Sequence, residues 1–291
     1  KVNFVFNKET GLVTSYQVNG TEYFNDGFGI QPNFWRAPND NDYGNGEPKR
    51  LQIWKQSSKN FNVADADIVM DDNTAILTVN YLLAAGNLYI VTYKIYPSGV
   101  VKVNARFTST DMQATETEVS EATRMATFTP GNDEARKAAA KLNVPRIGVR
   151  FRLPAEMNKV EYFGRGPEEN YIDRNAGTLI GLYKTTADKM YYNYVRPQEN
   201  GHHTDTRWLS LSKKNGKGLT IMADSIIGFN ALRNSIEDFD SEEALPHPRQ
   251  WNNFSPEEIA NHDEEAARNV LRRMHHVNDI TPRDFVEVCI D

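Results

Sequence analysis

Carboxylate and amide side chains are concentrated in the stretch Asn33–Gly46, NFWRAPNDNDYGNG. Because strand-like alternation stops after Trp35, the stretch is predicted to be a loop. Its Asp and Asn side chains can bond their own backbone and hold a long loop in one shape. Two interpretations are open: a structural Asx-rich loop, or a loop that reaches a polar site. A calcium site is not indicated, because Asp40-Asn41-Asp42 lacks the calcium loop's spacing and distal glutamate.

Two further stretches carry clustered polar residues, Tyr162–Arg174 (YFGRGPEENYIDR) and Tyr194–Trp208 (YVRPQENGHHTDTRW). The latter contains the adjacent pair His202 and His203. Adjacent residues on a strand point to opposite faces, so these two imidazoles are not expected to bind one metal ion together. No metal ligand is therefore predicted in this chain.

Together and in this order, the three stretches resemble the C-terminal domain, or small chain, of family 2 β-galactosidases. Phe34–Gly44 is similar to the family's R-A-P-x-D-N-D-x-G signature. Tyr162–Arg174 resembles G-x-G-P-x-E-N-Y-x-D-R, and Tyr194–Trp208 resembles a Y-x-x-P-x-E-N-G segment. Three blocks across most of the chain make the resemblance specific. It implies a domain of a larger enzyme that hydrolyses terminal β-D-galactosides with retention of configuration.

The resemblance also implies where the chemistry lies. Retaining hydrolysis needs two carboxylates about 5 Å apart. In the family, both catalytic glutamates and the magnesium ligands belong to a central barrel domain that this chain lacks. Magnesium and a monovalent cation are thus implied for the full-length enzyme, and no catalytic residue, metal ligand or cofactor is expected here. The expected partners are the barrel and other domains of the same polypeptide and, in the full-length enzyme, the galactoside substrate.

For the first stretch, the resemblance implies a loop close to the active site, on a face that packs against the catalytic domain and is apolar for a monomer. The positions that match its signature are Arg36, Asp40, Asn41, Asp42 and Gly44. Gly44 is predicted to be a hinge, because glycine adopts backbone angles that other residues avoid.

For the other two stretches, a structural or interdomain role is predicted. Of these residues, Arg165, Glu168 and Arg174 are expected to form surface or interdomain ion pairs. The family more often has arginine at the position of His203, which argues for a non-catalytic role there. The residues assigned to this group are Arg165, Glu168, Asn170, Tyr171, Asp173, Arg174, Glu199 and Asn200.

Composition sets the remaining limits. The chain has 291 residues, 33 Lys+Arg and 39 Asp+Glu, and this mildly acidic balance argues against nucleic acid as a partner. No apolar run approaches the length of a membrane span. The single cysteine, Cys289, excludes an internal disulfide. Localisation (cytoplasm or periplasm) and homo-oligomerisation are both left open.

Where the chain begins and ends suggests a piece of a longer protein. Lys1 leads directly into a strand-like pattern without an initiator methionine. The resemblance further implies that the domain is truncated before its extreme C-terminus, because a Gly-Gly-Asp-Asp-Ser-Trp segment of the family would follow Asp291. Its tryptophan stacks on the sugar in the family, so this contact is expected to be missing.

Alternating apolar and polar residues predict strands along most of the chain. The clearest hairpin pairs Leu88–Tyr96 with Val100–Phe107 and puts Tyr89 and Phe107 on one face. Helices are predicted only at residues 132–142 and 255–274. For residues 49–54 the pattern does not decide between helix and strand.

About twelve to eighteen strands with one or two short helical insertions indicate an all-β fold, a single antiparallel β-sandwich domain spanning residues 1–291. The resemblance narrows this to the large two-sheet supersandwich that the family shares with galactose mutarotase-like folds. Two alternatives remain for the function. One is an autonomous mutarotase-like epimerase, which needs a convergent acid and base. The other is a carbohydrate-binding module that uses exposed aromatics such as Trp35, Trp54 or Trp251.

Overall fold

The computed structural model describes residues 1–83, 86–108, 143–240 and 277–291. These ranges contain fourteen β-strands and five short α-helices. All strand pairs in them are antiparallel, which confirms the all-β antiparallel prediction. The two predicted helices, at residues 132–142 and 255–274, lie outside the described residues. No helix within the described ranges is long and apolar enough to cross a membrane.

The N-terminal strands form a three-stranded meander of β1 (Val2–Asn7), β2 (Leu12–Val18) and β3 (Thr21–Glu22). Asn19 and Gly20 turn β2 into β3, both with left-handed backbone angles (φ 52° and 81°). This is the combination that a tight hairpin needs and that Asn-Gly supplies with little strain. The meander predicted from alternation is present.

A four-stranded sheet follows, with β5 (Asn62–Asp71), β6 (Thr74–Leu82), β7 (Leu88–Ile95) and β8 (Val101–Thr108) in sequence order. Its register confirms the predicted hairpin, because Tyr89 lies opposite Phe107 and Tyr93 lies opposite Val103. Tyr89 and Tyr93 are fully buried, so the face chosen from the alternation is the core face.

The largest sheet has seven strands, in the order β11-β10-β12-β13-β14-β9-β4. Two features escaped sequence analysis: β4 is only three residues long and contains Pro32, and β13 runs well beyond residue 223. The second half of β13 forms because Phe229 and its neighbours pair with β14, a contact that local alternation does not reveal. The bounds are β4 Gln31–Asn33, β9 Gly148–Pro154, β10 Lys159–Gly166, β11 Leu179–Thr186, β12 His203–Ser212, β13 Gly218–Leu232 and β14 Phe285–Ile290.

The five helices are all short: α1 Asp40–Gly44, α2 Glu47–Arg50, α3 Gln52–Ser57, α4 Ala187–Met190 and α5 Ile236–Phe239. The undecided stretch at residues 49–54 is therefore helical, with Pro48 in the first turn of α2, where its missing N–H costs nothing. The stretch Asn33–Gly46 contains α1 and is not wholly irregular, which corrects the prediction of a loop.

One hydrophobic core joins all three sheets. Buried tyrosines connect the sheets through their hydroxyl groups: Tyr81 donates to the carbonyl of Gly11 at 2.6 Å, and Tyr89 to that of Gly148 at 2.9 Å. Such side chains fill the core with their rings and still satisfy their polar ends. The predicted sandwich is thus built from three hydrogen-bonded sheets, and both the single-domain boundary and the likeness to mutarotases stay predictions.

The seven-stranded sheet offers a direct test of which face is the core. Leu209 is fully buried and Leu179 is 74% exposed. We expect Leu209→Ala to lower the free energy of unfolding by about 2–5 kcal/mol, because it leaves a cavity. Leu179→Ala, the matched control, should change it by less than about 0.5 kcal/mol. Urea-induced unfolding measures both, and equal losses would contradict the assignment of the core face.

Candidate functional site

The three motif stretches, which are far apart in sequence, meet on one side of the molecule. Arg196 of the third stretch contacts Asp40 of the first, with 3.4 Å between the guanidinium and the carboxylate. The backbone N–H of Asn170, in the second stretch, donates to the carbonyl of His202, in the third, at 2.7 Å. These contacts make the three stretches one candidate site.

The loop Asn33–Gly46 is fixed to the core by two aromatic side chains. Phe34 is fully buried and meets the edge of Tyr89 at a ring-centroid distance of 4.9 Å. Trp35 is also buried, and its indole N–H donates to a carboxylate oxygen of Asp240 at 2.7 Å. The backbone N–H of Phe34 donates to Ser58 Oγ at 2.8 Å. The entry of the loop is therefore held by packing and by satisfied hydrogen bonds.

Arg36 and Asp42 hold the loop together from within. The guanidinium donates to both carboxylate oxygens of Asp42, at 2.6 and 2.9 Å, which is the bidentate geometry that arginine favours. Asp42 also accepts from the backbone N–H of Asn39, while the Asn39 side chain accepts from the N–H of Asp42. This reciprocal capping box starts α1. Both matched residues thus have structural partners within the loop.

The other three matched residues face solvent. Asp40, Asn41 and Gly44 are exposed on α1. Gly44 has ordinary helical backbone angles, and a Cβ added there would meet no atom within 4 Å. The left-handed angle belongs to Gly46 instead, with φ 73°. The glycine-specific backbone conformation is therefore two residues later than the predicted hinge.

A partly buried carboxyl group sits beside the Arg36–Asp42 pair. Burial, a hydrogen bond with Asp42 and the negative charge of Asp42 raise the pKa of Glu47 to about 7. Burial also works to raise the pKa of Asp42, but the hydrogen bonds and positive charge of Arg36 outweigh it and lower that pKa below its usual value. Of the two carboxyl groups, Glu47 is therefore the one that binds a proton near neutral pH, while Asp42 stays ionised.

The first and third stretches touch at several points. The guanidinium of Arg196 lies over the ring of Tyr43, 3.6 Å from its centroid. The backbone N–H of Asp40 donates to the Gln198 side chain at 3.3 Å, and the N–H of Glu199 donates to the carbonyl of Ala37, also at 3.3 Å. The third stretch therefore supports the solvent-facing side of the loop.

Asn170 connects the second and third stretches. Its side chain is fully buried, and its amide group donates to the carbonyls of Arg165 and Glu168 at 3.2 and 3.1 Å. Its carbonyl oxygen accepts from the N–H and the hydroxyl of Thr204, at 2.9 and 2.6 Å. Every donor and acceptor of this amide is used, which is typical of a buried polar residue with a structural role.

Glu169 has the contacts that sequence analysis assigned to Glu168. Glu169 accepts from Arg174 at 2.9 Å, from the backbone N–H of Gly201 at 2.7 Å and from the hydroxyl of Tyr194. Glu168 is exposed, and within the described residues its side chain forms no ion pair. The signature pattern itself carried the signal, since Glu168 occupies its variable position and Glu169 its fixed one.

The expected ion pairs of this second stretch form inside the chain. Arg165 binds Asp205 at 2.5 Å and also donates to the carbonyl of Thr178 at 2.9 Å. Arg174 lies over the ring of Tyr171, 5.4 Å from its centroid, while Asp173 is exposed. Burial and the nearby acidic groups raise the pKa of Tyr171 well above its usual range, so this phenol stays neutral.

Behind the surface of the site lies a buried ion pair that sequence analysis missed. Arg146 donates to Glu199 at 2.7 Å, and both side chains are almost fully inaccessible (2% and 3% exposed). Asn230 donates to the same glutamate oxygen at 3.0 Å, and Asn200 donates to the carbonyl of Gln198 at 2.9 Å. Because Arg146 lies outside all three motifs, only the folded chain reveals it as the partner of Glu199.

The pKa values of the adjacent histidines are shifted in opposite directions. His202 lies between the carbonyl of Asn170 and the carboxylate of Asp291, each 3.1 Å from a ring nitrogen. Burial works to lower the pKa of His202, but the Asp291 carboxylate outweighs it and raises that pKa. Burial lowers the pKa of His203 to about 4, so its ring is neutral beside Tyr162. The two rings have different partners, as the strand geometry predicts.

The acidic residues of the site do not fit a metal centre. Asp42 is paired with Arg36, Glu199 with Arg146, and Asp291 with His202. Among the described residues, no group of three or more His, Cys, Asp or Glu side chains is arranged to hold a metal ion. Magnesium prefers several free oxygen ligands in octahedral geometry, which these ion-paired carboxylates do not offer.

Glu47 gives this site a testable pH dependence. Its pKa in the folded chain lies above the unfolded value of 4.5, so its contribution to stability is complete below that pH and is lost as pH rises through about 7. Glu47→Gln imitates the protonated form, and its melting temperature relative to that of the parent chain should rise by a few °C between ~pH 5 and ~pH 8. Glu9→Gln, at an exposed site, is the control; parallel profiles for all three proteins would contradict the assignment.

The sequence of this chain is similar to those of several β-galactosidases. The family model described as "Beta galactosidase small chain" matches residues 1–283. A β-galactosidase of Priestia megaterium is 30% identical over 247 residues, which are 83% of this chain and 21% of that protein. A β-galactosidase of Streptococcus thermophilus is 27% identical over 242 residues, or 82% and 21%.

A third relative has a higher sequence identity over a shorter region. A β-galactosidase of Arthrobacter is 39% identical over 124 residues, which are 40% of this chain and 12% of that protein. The chain thus spans about a fifth of the length of the first two relatives. With the family model matched over nearly its whole length, this chain belongs to the β-galactosidase small-chain family.

Proposed function

We propose that this chain is the C-terminal domain of a retaining β-galactosidase that hydrolyses terminal β-D-galactosides, and that it borders the active site without supplying the catalytic pair. The proposal rests on the loop Asn33–Gly46, which is buried in the core at one end and exposed to solvent at the other. Its aromatic half is anchored in the core, while Asp40, Asn41 and Gly44 face solvent on a capped helix. Membership of the small-chain family provides the substrate class.

Exposed apolar side chains beside this loop support a packing surface there. Val195 is 89% exposed and directly precedes Arg196, which contacts the loop. Tyr192, in the same segment, is 56% exposed, and Ile172 of the second stretch is 91% exposed. Interdomain surfaces typically bury about 600–1,500 Å². We infer that the remainder of the β-galactosidase polypeptide, with its catalytic barrel, covers this surface.

The state of the carboxyl groups supports catalysis by another domain. A retaining glycosidase needs a nucleophile and an acid/base about 5 Å apart, both free to reach the sugar. Asp42, Glu169 and Glu199 are each engaged by an arginine of this chain. The proposed role of the domain is therefore to shape the pocket and to place the solvent-facing side of α1 at its mouth.

Neither alternative function gains support from the described residues. A carbohydrate-binding module was expected to expose Trp35 and Trp54, but both are buried in the core. Trp251 lies outside the described residues. An epimerase needs a free acid and a free base that converge on one sugar. His202 is hydrogen-bonded to Asp291, and His203 is buried against Tyr162.

The first test asks where the catalytic pair lies. We expect the isolated chain to fold and to show no turnover of a chromogenic β-galactoside above that of a buffer blank, while the full-length parent is active. Circular dichroism provides the control for folding. Turnover by the isolated chain that disappears in Asp40→Asn or Glu168→Gln would show that the catalytic carboxylates are here and would overturn the proposal.

A second test asks whether the end of α1 moves during binding. Gly44→Ala favours the helical turn by roughly 1 kcal/mol without a steric clash. In the full-length parent it should change the affinity for a transition-state analogue about fivefold, with nearly unchanged thermal stability.

Gly46→Ala is the matched comparison, because its left-handed backbone makes a side chain cost about 1–2 kcal/mol. It should lower the melting temperature. If Gly44→Ala leaves the affinity unchanged, or lowers stability as much as Gly46→Ala does, then Gly44 has no gating role.

A further inference from the structure

A small cavity lies on the inner side of the anchored loop, away from the solvent-facing residues of α1. It is shallow and partly open, with room for about one water-sized ligand, between the end of β4, helix α3, strand β9 and helix α5. Asn33, Lys55, Lys59, Arg150, Glu237 and Asp240 supply its polar walls. This cavity is distinct from the surface assigned to the proposed function, and the inference below does not depend on that function.

Two buried hydrogen-bond donors of this cavity lack an acceptor. Asn33 is fully buried; its carbonyl oxygen accepts from the N–H of Trp35 at 3.3 Å, but its amide nitrogen has no partner in the structure. Arg150 is also buried, and its Nε atom is likewise unpartnered. Buried donors are nearly always satisfied in proteins. A bound ligand that accepts hydrogen bonds satisfies both of these donors.

Three acceptor side chains of the cavity already receive hydrogen bonds from other groups. One Asp240 oxygen accepts from both Lys55 and Trp35, each at 2.7 Å. Glu237 binds the Nη1 atom of Arg150 at 2.8 Å. Ser58 Oγ accepts from the N–H of Phe34 and donates to the carbonyl of Trp54. None of these groups forms a hydrogen bond with the Asn33 amide nitrogen or with Arg150 Nε.

The ionisable side chains around the cavity have a net charge of +1. Besides Lys55 and Arg150, there are two more cations: Lys59 is exposed at the mouth, and Arg152 pairs with Glu287 behind the wall. Three carboxylates oppose these four cations: Asp240, Glu237 and Glu287. Within the described residues, Lys59 forms no ion pair. One uncompensated positive charge next to two unfilled donors matches one negative charge on a small acceptor.

We propose that this cavity binds a small monovalent anion of halide size. The anion accepts from the Asn33 amide and from Arg150 Nε, and Lys59 neutralises it from the mouth. Bound there, it satisfies the donors on which the entry of the loop rests, between Asn33 and the anchored Trp35. Its binding is expected to stabilise the folded chain by an amount that grows with the logarithm of its concentration once this exceeds the dissociation constant.

Chloride binding to the 291-residue chain can be measured by the excess broadening of the chloride NMR line, titrated at constant ionic strength. We expect saturable broadening. Asn33→Asp keeps the side-chain shape but replaces the donor with a negative charge, so it should abolish the saturable component. Lys59→Gln, an exposed change that leaves the core intact, should weaken binding at least about fivefold. Lys8→Gln, an equally exposed lysine on another part of the surface, is the matched control and should change nothing.

Crystals soaked in sodium bromide locate the site through the anomalous signal of bromine. A peak between Asn33 and Arg150 that disappears in Asn33→Asp is the expected result. The proposal is overturned if the cavity holds only water density. It is also overturned if the broadening is the same in Lys59→Gln as in Lys8→Gln and the parent chain. Lys59→Gln keeps the test decisive even if Asn33→Asp fails to fold.

Discussion

The packing of Phe34 against Tyr89 and Trp54 is the contact on which the candidate site depends. It connects the residue that directly follows β4, an edge strand of the large sheet, to helix α3 and to the core face of the four-stranded sheet. Burial of an aromatic side chain stabilises a fold by several kcal/mol, of order 3–5 when the loss on truncation is measured. That is enough to fix where the chain leaves the core. The loop that follows can then carry polar residues toward solvent without losing its position.

Beyond this anchor, the site is held by polar groups whose partners come from distant parts of the chain. Arg36 holds Asp42 within the loop, Asn170 joins two stretches, and the buried Arg146–Glu199 pair supports them from behind. A buried charge without its partner is strongly unfavourable, so such pairs tolerate few alternative arrangements. The result is a rigid frame around a small solvent-facing helix, which is what a domain needs if it acts by shaping another domain's pocket.

Ion pairs with arginine distinguish several carboxylates of this chain from free carboxylates that could act as an acid or base. The sequence alone does not distinguish Asp42, Glu169 and Glu199 from unpaired carboxylates. In the fold each one neutralises an arginine. Glu47 differs, because burial next to Asp42 raises its pKa to about 7, so that it changes its protonation state near neutral pH. The pKa and the ion pairing of a carboxyl group are thus decided by its neighbours in the fold and not by its residue type.

The sequence by itself determined the family and most of the strands. Side-chain alternation has the period of a strand, so the register of the β7–β8 hairpin followed from Tyr89 and Phe107 alone, and three local motifs carried the resemblance. The tertiary structure decided the rest. β4, the second half of β13 and the pairing of Arg146 with Glu199 arise from contacts between distant residues, which no local pattern encodes. Likewise, whether Gly44 or Gly46 needs glycine depended on backbone geometry that only packing fixes.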